Sequence, residues 1–392
     1  MKAKILFAAG VCGLISACSS PAGRQADELT MLAGTYTDQR SEGIYVFRFN
    51  QETGRAVPAG SVRADNPSFV IASADGKRVY AVHENCDSTD AVSAYDFDVS
   101  TGRMRLLDTR LSGEAPCHLS TNGKMLLAAN YEGGSLSLFS LREDGSLEDS
   151  RSDFPGSASG VDSLRQATPH VHCSVFSPDG KKVIVSDFGG DRLMCFDVVE
   201  EGTGLQVSSS PVAVEPGSGP RHLTFSADGK RLYLLNELSG KVVVYDYRDG
   251  RLIQKQTVEA DKAHARGGAD IHLSPDGKYL YASNRLKDDG IAIFAVDEND
   301  GTLTEVGYQL TGIHPRHFAI TPNGKFLLVA CRDDNRIQVF ERDIKSGLLE
   351  DTRQDIPVSR AVCICFVPAN IQLSTAATGG WLSTGRHAAD SH

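Results

Sequence analysis

Six times along the chain an apolar run breaks at a short polar turn and then resumes. The turns are Asp75-Gly76-Lys77, Asn122-Gly123-Lys124, Asp179-Gly180-Lys181, Asp228-Gly229-Lys230, Asp276-Gly277-Lys278 and Asn323-Gly324-Lys325, with their glycines 47, 57, 49, 48 and 47 residues apart. Asp-Gly or Asn-Gly between apolar runs signals a hairpin, because such turns need residues that accept positive φ. The runs that follow, such as RLYLLNE (231–237) and KVVVYDY (241–247), are dense in Val, Leu and Tyr. A second turn closes each of them, as at residues 246–250. Each unit therefore predicts about four short strands.

A sheet of four short strands cannot bury both of its faces alone. Stacking such sheets radially buries them and leaves few exposed edges. The expected fold class is all-β, a β-propeller of four-stranded antiparallel blades. The 57-residue interval includes a Gly- and Ser-rich insertion near residues 154–168, which predicts a surface loop. After the sixth unit, residues 362–368 (VCICFVP) repeat the strand before the turn but lack its successor. That successor stands at the other end, in residues 31–37 (MLAGTYT) and 43–49 (GIYVFRF). One blade built from both termini gives seven blades and a closed ring, with no unpaired sheet edges at the seam. Six blades is the alternative count.

The ends do not share the repeat. Lys2 and Lys4 precede an apolar stretch, ILFAAGVCGLI (5–15), too short for a permanent membrane span, and then Ser16-Ala17-Cys18. This resembles the lipobox of bacterial lipoproteins, so residues 1–18 are expected to be a signal peptide with Cys18 as the lipidation site. A plain secretory signal cut near Ala17 is the alternative. Residues 19–28 are expected to form a polar tether, 29–368 the propeller, and 369–392, with Trp381, a disordered tail. The expected location is the bacterial cell envelope, with membrane contact through the lipid anchor only.

The formal charge of −10 argues against a nucleic-acid partner. Beyond Cys12 and Cys18 the chain has Cys86, Cys117, Cys173, Cys195, Cys331, Cys363 and Cys365. They contain no Cys-x-x-Cys pair and no zinc spacing, so no metal site is expected. Their odd number leaves at least one thiol free.

The turn glycines also serve as a ruler. In a hairpin, the residue eight before the turn and the one eight after it lie at the same end, and the innermost strand of each blade lines the channel. Eight after stand Glu84, Tyr131, Phe188, Glu237, Arg285 and Arg332, preceded by His83, Asn130, Asp187, Asn236, Asn284 and Cys331. The N-terminal piece adds Thr35 and Tyr36. Eight or seven before stand His172, Arg221 with His222, and Arg316 with His317, with His170 just upstream. His118 joins them if its hairpin, around residues 117–122, is two residues short. Arg, Glu and His thus converge at one channel mouth, which suits a small anionic ligand. The same groups also suit a structural ring whose members satisfy one another, and His118 and His272 fit that role better.

These residues carry a resemblance. Gly34-Thr35-Tyr36-Thr37, Asn130-Tyr131 with Gly133-Gly134, Arg165-Gln166 with Pro169-His170-Val171-His172, Gly219-Pro220-Arg221-His222, Asn236-Glu237, Ser283-Asn284-Arg285 and Pro315-Arg316-His317 occur in this order. Across residues 31–368 the chain resembles the lactonase family of seven-bladed propellers. That family includes 6-phosphogluconolactonases and carboxy-muconate lactonizing enzymes. The resemblance implies His172, Arg221, Glu237 and Arg285 as catalytic residues. His170, His222, Arg316, His317, Tyr131 and Asn236 are expected to bind substrate. The expected activity is hydrolysis of a sugar-acid lactone, without a cofactor, using Glu237 or His172 as the base. Lactonization of a muconate-like acid and a non-enzymatic binding propeller of the cell envelope are the alternatives.

The lipobox reading makes one direct prediction. Cells expressing the chain should incorporate labelled palmitate into it, and Cys18→Ala should abolish the label. Equal labelling of both proteins would remove the lipid anchor.

Overall fold

The computed structural model describes residues 27–156, 160–208 and 211–368. The proposed signal segment with Cys18, residues 19–26 of the tether and the tail 369–392 lie outside the described residues. Glu28, assigned above to the tether, is instead the first residue of a strand (Glu28–Thr35).

Seven antiparallel sheets follow one another around a ring, five of four strands and two with a fifth short strand. Six blades are contiguous in sequence. Their innermost strands are Val70–Ala72, Pro116–Thr121, Val171–Phe176, Pro220–Phe225, Gly268–Leu273 and Pro315–Ile320, for blades 1 to 6. The seventh blade takes its innermost strand, Ala361–Phe366, from the C-terminal side and the other three, Glu28–Thr35, Gly43–Asn50 and Ala56–Arg63, from the N-terminal side. Leu32 pairs with Cys365 and Ala33 with Ile364 across this seam. The ring therefore closes by strand pairing, as the split repeat predicts.

The turns form for local reasons. In blade 4 the Gly229 amide donates to the Ser226 carbonyl at 2.9 Å, and Gly229 adopts φ +69. Asp228 locks this turn by accepting from Ser226 Oγ at 2.6 Å and the Lys230 amide at 3.0 Å. The same Ser-to-Asp bond recurs at Ser73–Asp75 and Ser177–Asp179, both 2.6 Å. Each Asp-Gly is thus a local device that fixes hairpin register within its own blade.

Seven apolar clusters fill the ring among the described residues, one at each blade–blade interface. Between blades 4 and 5, Tyr233, Leu235 and Val244 pack on Ile271, Leu280 and Phe294. At the far side of the seam, Phe326 and Leu328 of blade 6 meet Met31, Phe47 and Phe49 of blade 7, with Phe49 and Phe326 edge to face at 6.0 Å. Fully burying each such side chain contributes about 1.5–3 kcal/mol, and only neighbouring blades provide that burial. The outermost strands keep one wet face, as in Arg251–Glu259, where Arg251, Lys255, Thr257 and Glu259 are exposed. Charge along these edges discourages pairing with other chains.

One sequence expectation needs adjustment and another holds. The insertion starts later than residue 154, since Leu147–Pro155 is a strand and Phe154 packs on Phe196 at 5.2 Å. The hairpin of blade 2 is two residues short, as the sequence suggests, because Pro116 pairs with Asn130 whereas in blade 4 Pro220 pairs with Asn236. The inner ends keep the same register, so the deletion falls wholly at the turn and the channel end is not distorted.

Ring closure is testable by truncation. A chain ending at residue 360 bares the edge of Glu28–Thr35 and leaves part of the seam cluster without its partner. It should lose a single cooperative unfolding transition in calorimetry. Retention of the full-length melting temperature would show that the seam contributes nothing.

Candidate active site

One irregularity, repeated from blade to blade, builds the site. In blade 4 Pro220 pairs with Asn236 and His222 with Leu235, so Arg221 is an extra residue bulged out of the ladder. The same register shift isolates His172 in blade 3, Arg316 in blade 6 and Cys117 in blade 2. A bulge re-aims its side chain, and of these four His172, Arg316 and Cys117 line a cavity of about 330 Å³ at one channel mouth. The residues that end the second strands complete its wall: Tyr36, Glu84, Tyr131, Glu237 and Arg285.

Glu237 is the centre of this pocket. Its Oε2 accepts from Arg221 Nε and from Arg285 Nη2, each at 3.0 Å, and its Oε1 accepts from Arg165 Nη2 at 2.8 Å. The first two guanidiniums are buried and pinned from behind. Arg285 donates to the Gly267 and Gly268 carbonyls at 3.0 and 3.1 Å, and Arg221 donates to the Ala269 carbonyl. The glycines are required here. A Cβ on Gly267 would stand 2.3 Å from the Arg285 carbonyl oxygen, and one on Gly268 2.7 Å from that of Asn236. Burial pushes the Glu237 carboxyl up, but Arg285, Arg221 and Arg165 outweigh it and bring it from 4.5 to about 2. Across the pocket Glu84 accepts from Tyr36 Oη at 2.9 Å and from Ser68 Oγ, with Arg316 at 3.8 Å and lying over the Tyr36 ring.

His172 faces the same cavity. Burial lowers it well below its ordinary value, and the charges of Arg221, His222 and Arg316 add to this, so the ring is neutral near pH 7. Its Nδ1 lies 3.9 Å from Cys117 Sγ, and Nε2 makes no hydrogen bond among the described residues.

The next ring down closes the channel. Phe69 of blade 1 meets His118 at 4.4 Å, His317 at 5.7 Å and His222 at 6.4 Å between ring centres, reaching three other blades. Asp270 anchors this floor. It accepts from His222 Nδ1 at 2.7 Å, His272 Nε2 at 2.9 Å and the Ile271 and Phe318 amides at 2.9 and 3.0 Å. Asp270, His272 and His317 form a group of metal-ligand type that sequence spacing did not suggest. Its signal was present in the alternation of residues 270 and 272 on one strand face beside the ring position of residue 317. The protons point inwards, however. The Ile364 amide donates to His317 Nδ1 at 3.3 Å, which places that ring's proton on Nε2, 3.6 Å from Asp270 Oδ2. The imidazoles therefore offer N–H groups to a carboxylate rather than lone pairs to a cation.

Of the ten residues expected in the site, Glu237, His172, Arg285, Arg316 and Tyr131 line the cavity. The other five do not. Arg221 is buried against Glu237, whose carboxylate it holds, and does not reach the cavity wall. His222 and His317 follow the bulged residue by one and so belong to the floor. Asn236 precedes Glu237, so strand alternation turns it into the blade, where it donates to the Lys241 carbonyl at 3.3 Å. His170 stacks on Tyr131 at 4.3 Å and bonds its carbonyl through Nδ1 at 2.8 Å, supporting the wall from behind. Arg332, on the same ruler, binds Asp333 outside the cavity. Sequence reasoning missed Arg165, Glu132 and His314 as lining residues. The ruler cannot find Arg165 because it lies on the insertion, outside the repeat.

A polar pocket, cationic at its centre and floored by packed rings at one mouth of a seven-bladed ring, has the form of a small-molecule enzyme site. The chain belongs to the lactonase family: the family model described as Lactonase, 7-bladed beta-propeller, matches residues 30–366. A 6-phosphogluconolactonase of Formosa agariphila is 37% identical over 342 residues, covering 84% of this chain and 97% of that protein. The crystal structure of a candidate 6-phosphogluconolactonase from Bacteroides uniformis superposes with a TM-score of 0.86 at 58% identity, covering 87% of this chain and all of the other. The periplasmic gluconolactonase of Pseudomonas aeruginosa gives 0.82 at 35% identity, covering 87% and 99%.

The Glu237 cage predicts a pH-dependent contribution to stability. Because its folded-state pKa is depressed from 4.5 to about 2, the contribution is complete above pH 4.5 and is lost as pH falls toward 2. Glu237→Gln should cost about 3–5 kcal/mol near neutral pH, since it leaves buried guanidiniums without their carboxylate. Denaturant unfolding should show the gap between variant and wild type narrowing through that acid window. A gap that widens on acidification would contradict the cage.

Proposed function

We propose that the chain hydrolyses a sugar-acid lactone in this pocket and does so outside the cytoplasm. The observation that carries the reading is the convergence of His172 with three guanidiniums, Arg165, Arg285 and Arg316, on one small cavity, with Arg221 buried against its Glu237. The names of its relatives support the lactone, and the periplasmic relative together with the lipobox supports export.

Lactone hydrolysis needs a base for water and positive donors for the oxyanion. Two residues compete for the base. Both Glu237 oxygens are occupied by guanidiniums, which leaves neither placed to take a proton from water. His172 is neutral, faces the cavity and keeps Nε2 open. His172 Nε2 takes a proton as water adds to the lactone carbonyl carbon, and Arg285 stabilises the resulting oxyanion, supported by the charge of Arg221 buried against Glu237. Collapse breaks the bond from that carbon to the ring oxygen, which leaves as a hydroxyl after receiving the proton back from His172. The net reaction adds one water and yields the open sugar acid. As negative charge develops beside the arginines it also raises the basicity of His172, so proton transfer and oxyanion formation assist each other. Glu237 aligns the guanidiniums.

The test uses glucono-δ-lactone and its 6-phosphate, with rates corrected for spontaneous hydrolysis. His172→Gln should lower kcat by about 10²–10⁴-fold. Glu237→Gln should lower kcat and also raise KM, because it disorders the guanidiniums. Failure of the wild type to exceed background on either lactone would overturn the activity. An undiminished His172→Gln rate would overturn the base.

A further inference from the structure

Of the three pocket arginines and Arg221, buried beside them, all but one are fixed. Arg221 and Arg285 are 2% and 6% exposed and bound to backbone carbonyls, and Arg316 is enclosed between Tyr36 and Glu84. Arg165 is different. Its side chain is 41% exposed, and its partners among the described residues are all side chains: Glu237 Oε1 at 2.8 Å, Tyr131 Oη at 3.2 Å and the face of Phe188 at 5.2 Å. If it leaves, Glu237 keeps two other guanidiniums, so no buried carboxylate is stranded. Its backbone, by contrast, is clamped. Asp162 Oδ1 accepts from the Leu164 and Arg165 amides, both at 3.0 Å, and Asp162 Oδ2 pairs with Arg266. Next to it Gln166 is fully buried and donates to the Phe188 carbonyl at 2.8 Å.

We infer that Arg165 is the specificity-determining residue for an anionic group on the far end of the substrate, a phosphate or carboxylate on the carbon most distant from the lactone carbonyl. The inference rests on the lactonase reading of the pocket. With substrate absent, the guanidinium rests on Glu237. When an anion enters at the rim, Arg165 swings to it on a fixed main chain, making the two-pronged contact that suits guanidinium with phosphate or carboxylate. A neutral sugar lactone leaves it where it is. The insertion that interrupts the repeat thus carries the element that distinguishes charged from uncharged lactones.

The experiment compares wild type, Arg165→Gln and Arg165→Lys by calorimetric binding of gluconate, glucarate and 6-phosphogluconate, and by kcat/KM on the 6-phosphorylated and plain lactones. Wild type should bind 6-phosphogluconate or glucarate more tightly than gluconate, and which of the two wins identifies phosphate or carboxylate. Arg165→Gln should collapse that preference, and the kcat/KM ratio of phosphorylated to plain lactone, by at least tenfold, with partial recovery in Arg165→Lys. Equal losses on charged and neutral compounds, or no wild-type preference, would overturn the inference. Because binding of the acids requires no turnover, a selective loss in an enzyme inactive on both lactones would sink the hydrolytic reading while leaving the role of Arg165 intact.

Discussion

Each of the seven sheets presents apolar side chains on both faces, and neither face can be left in water. This constraint makes the ring. A blade such as that starting at Pro220 finds cover for Tyr233 and Val244 only against the next blade, and that blade needs the one after it. The sequence of dependence ends only when the last blade meets the first, which is why Ala361–Phe366 pairs with a strand from the opposite end of the chain. The channel follows from the packing. Its walls are the innermost strands, whose inward positions no blade can cover, and chemistry occupies what packing leaves over.

Charge in that channel is held in two layers by opposite arrangements. In the upper layer one carboxylate, Glu237, gathers guanidiniums that are themselves tied to main-chain oxygens. In the lower layer one carboxylate, Asp270, gathers imidazole and amide N–H groups. Both are buried anions made tolerable by several donors at once. The upper layer has cations in excess of its carboxylates and an open side, and so suits an anion. The lower layer has spent its donors.

The repeat made most of this legible. Asp-Gly-Lys turns mark register without any knowledge of the third dimension, and counting eight residues either way found Glu237, Arg285, Arg221 and His172. The count worked because the bulge falls at the same step in blade after blade. It failed where that bulge matters by one residue: His222 and His317 follow the displaced position and drop to the floor, and Asn236 lies across the strand from its neighbour. It was silent about Arg165, whose approach to Glu237 depends on the path of a non-repeating loop and on contacts from Asp162 and Gln166. Periodicity reports what every blade shares, and an insertion is by definition what one blade does not.

Phe69, which reaches His118 on the neighbouring blade and His222 and His317 farther round the ring, has a consequence for traffic. A ring-shaped protein suggests a tunnel, yet these stacked rings bar passage a single layer beneath His172. Whatever enters the pocket must depart through the same doorway. Incoming and outgoing molecules therefore queue at one threshold, and an accumulating product competes there with fresh substrate for the same guanidiniums.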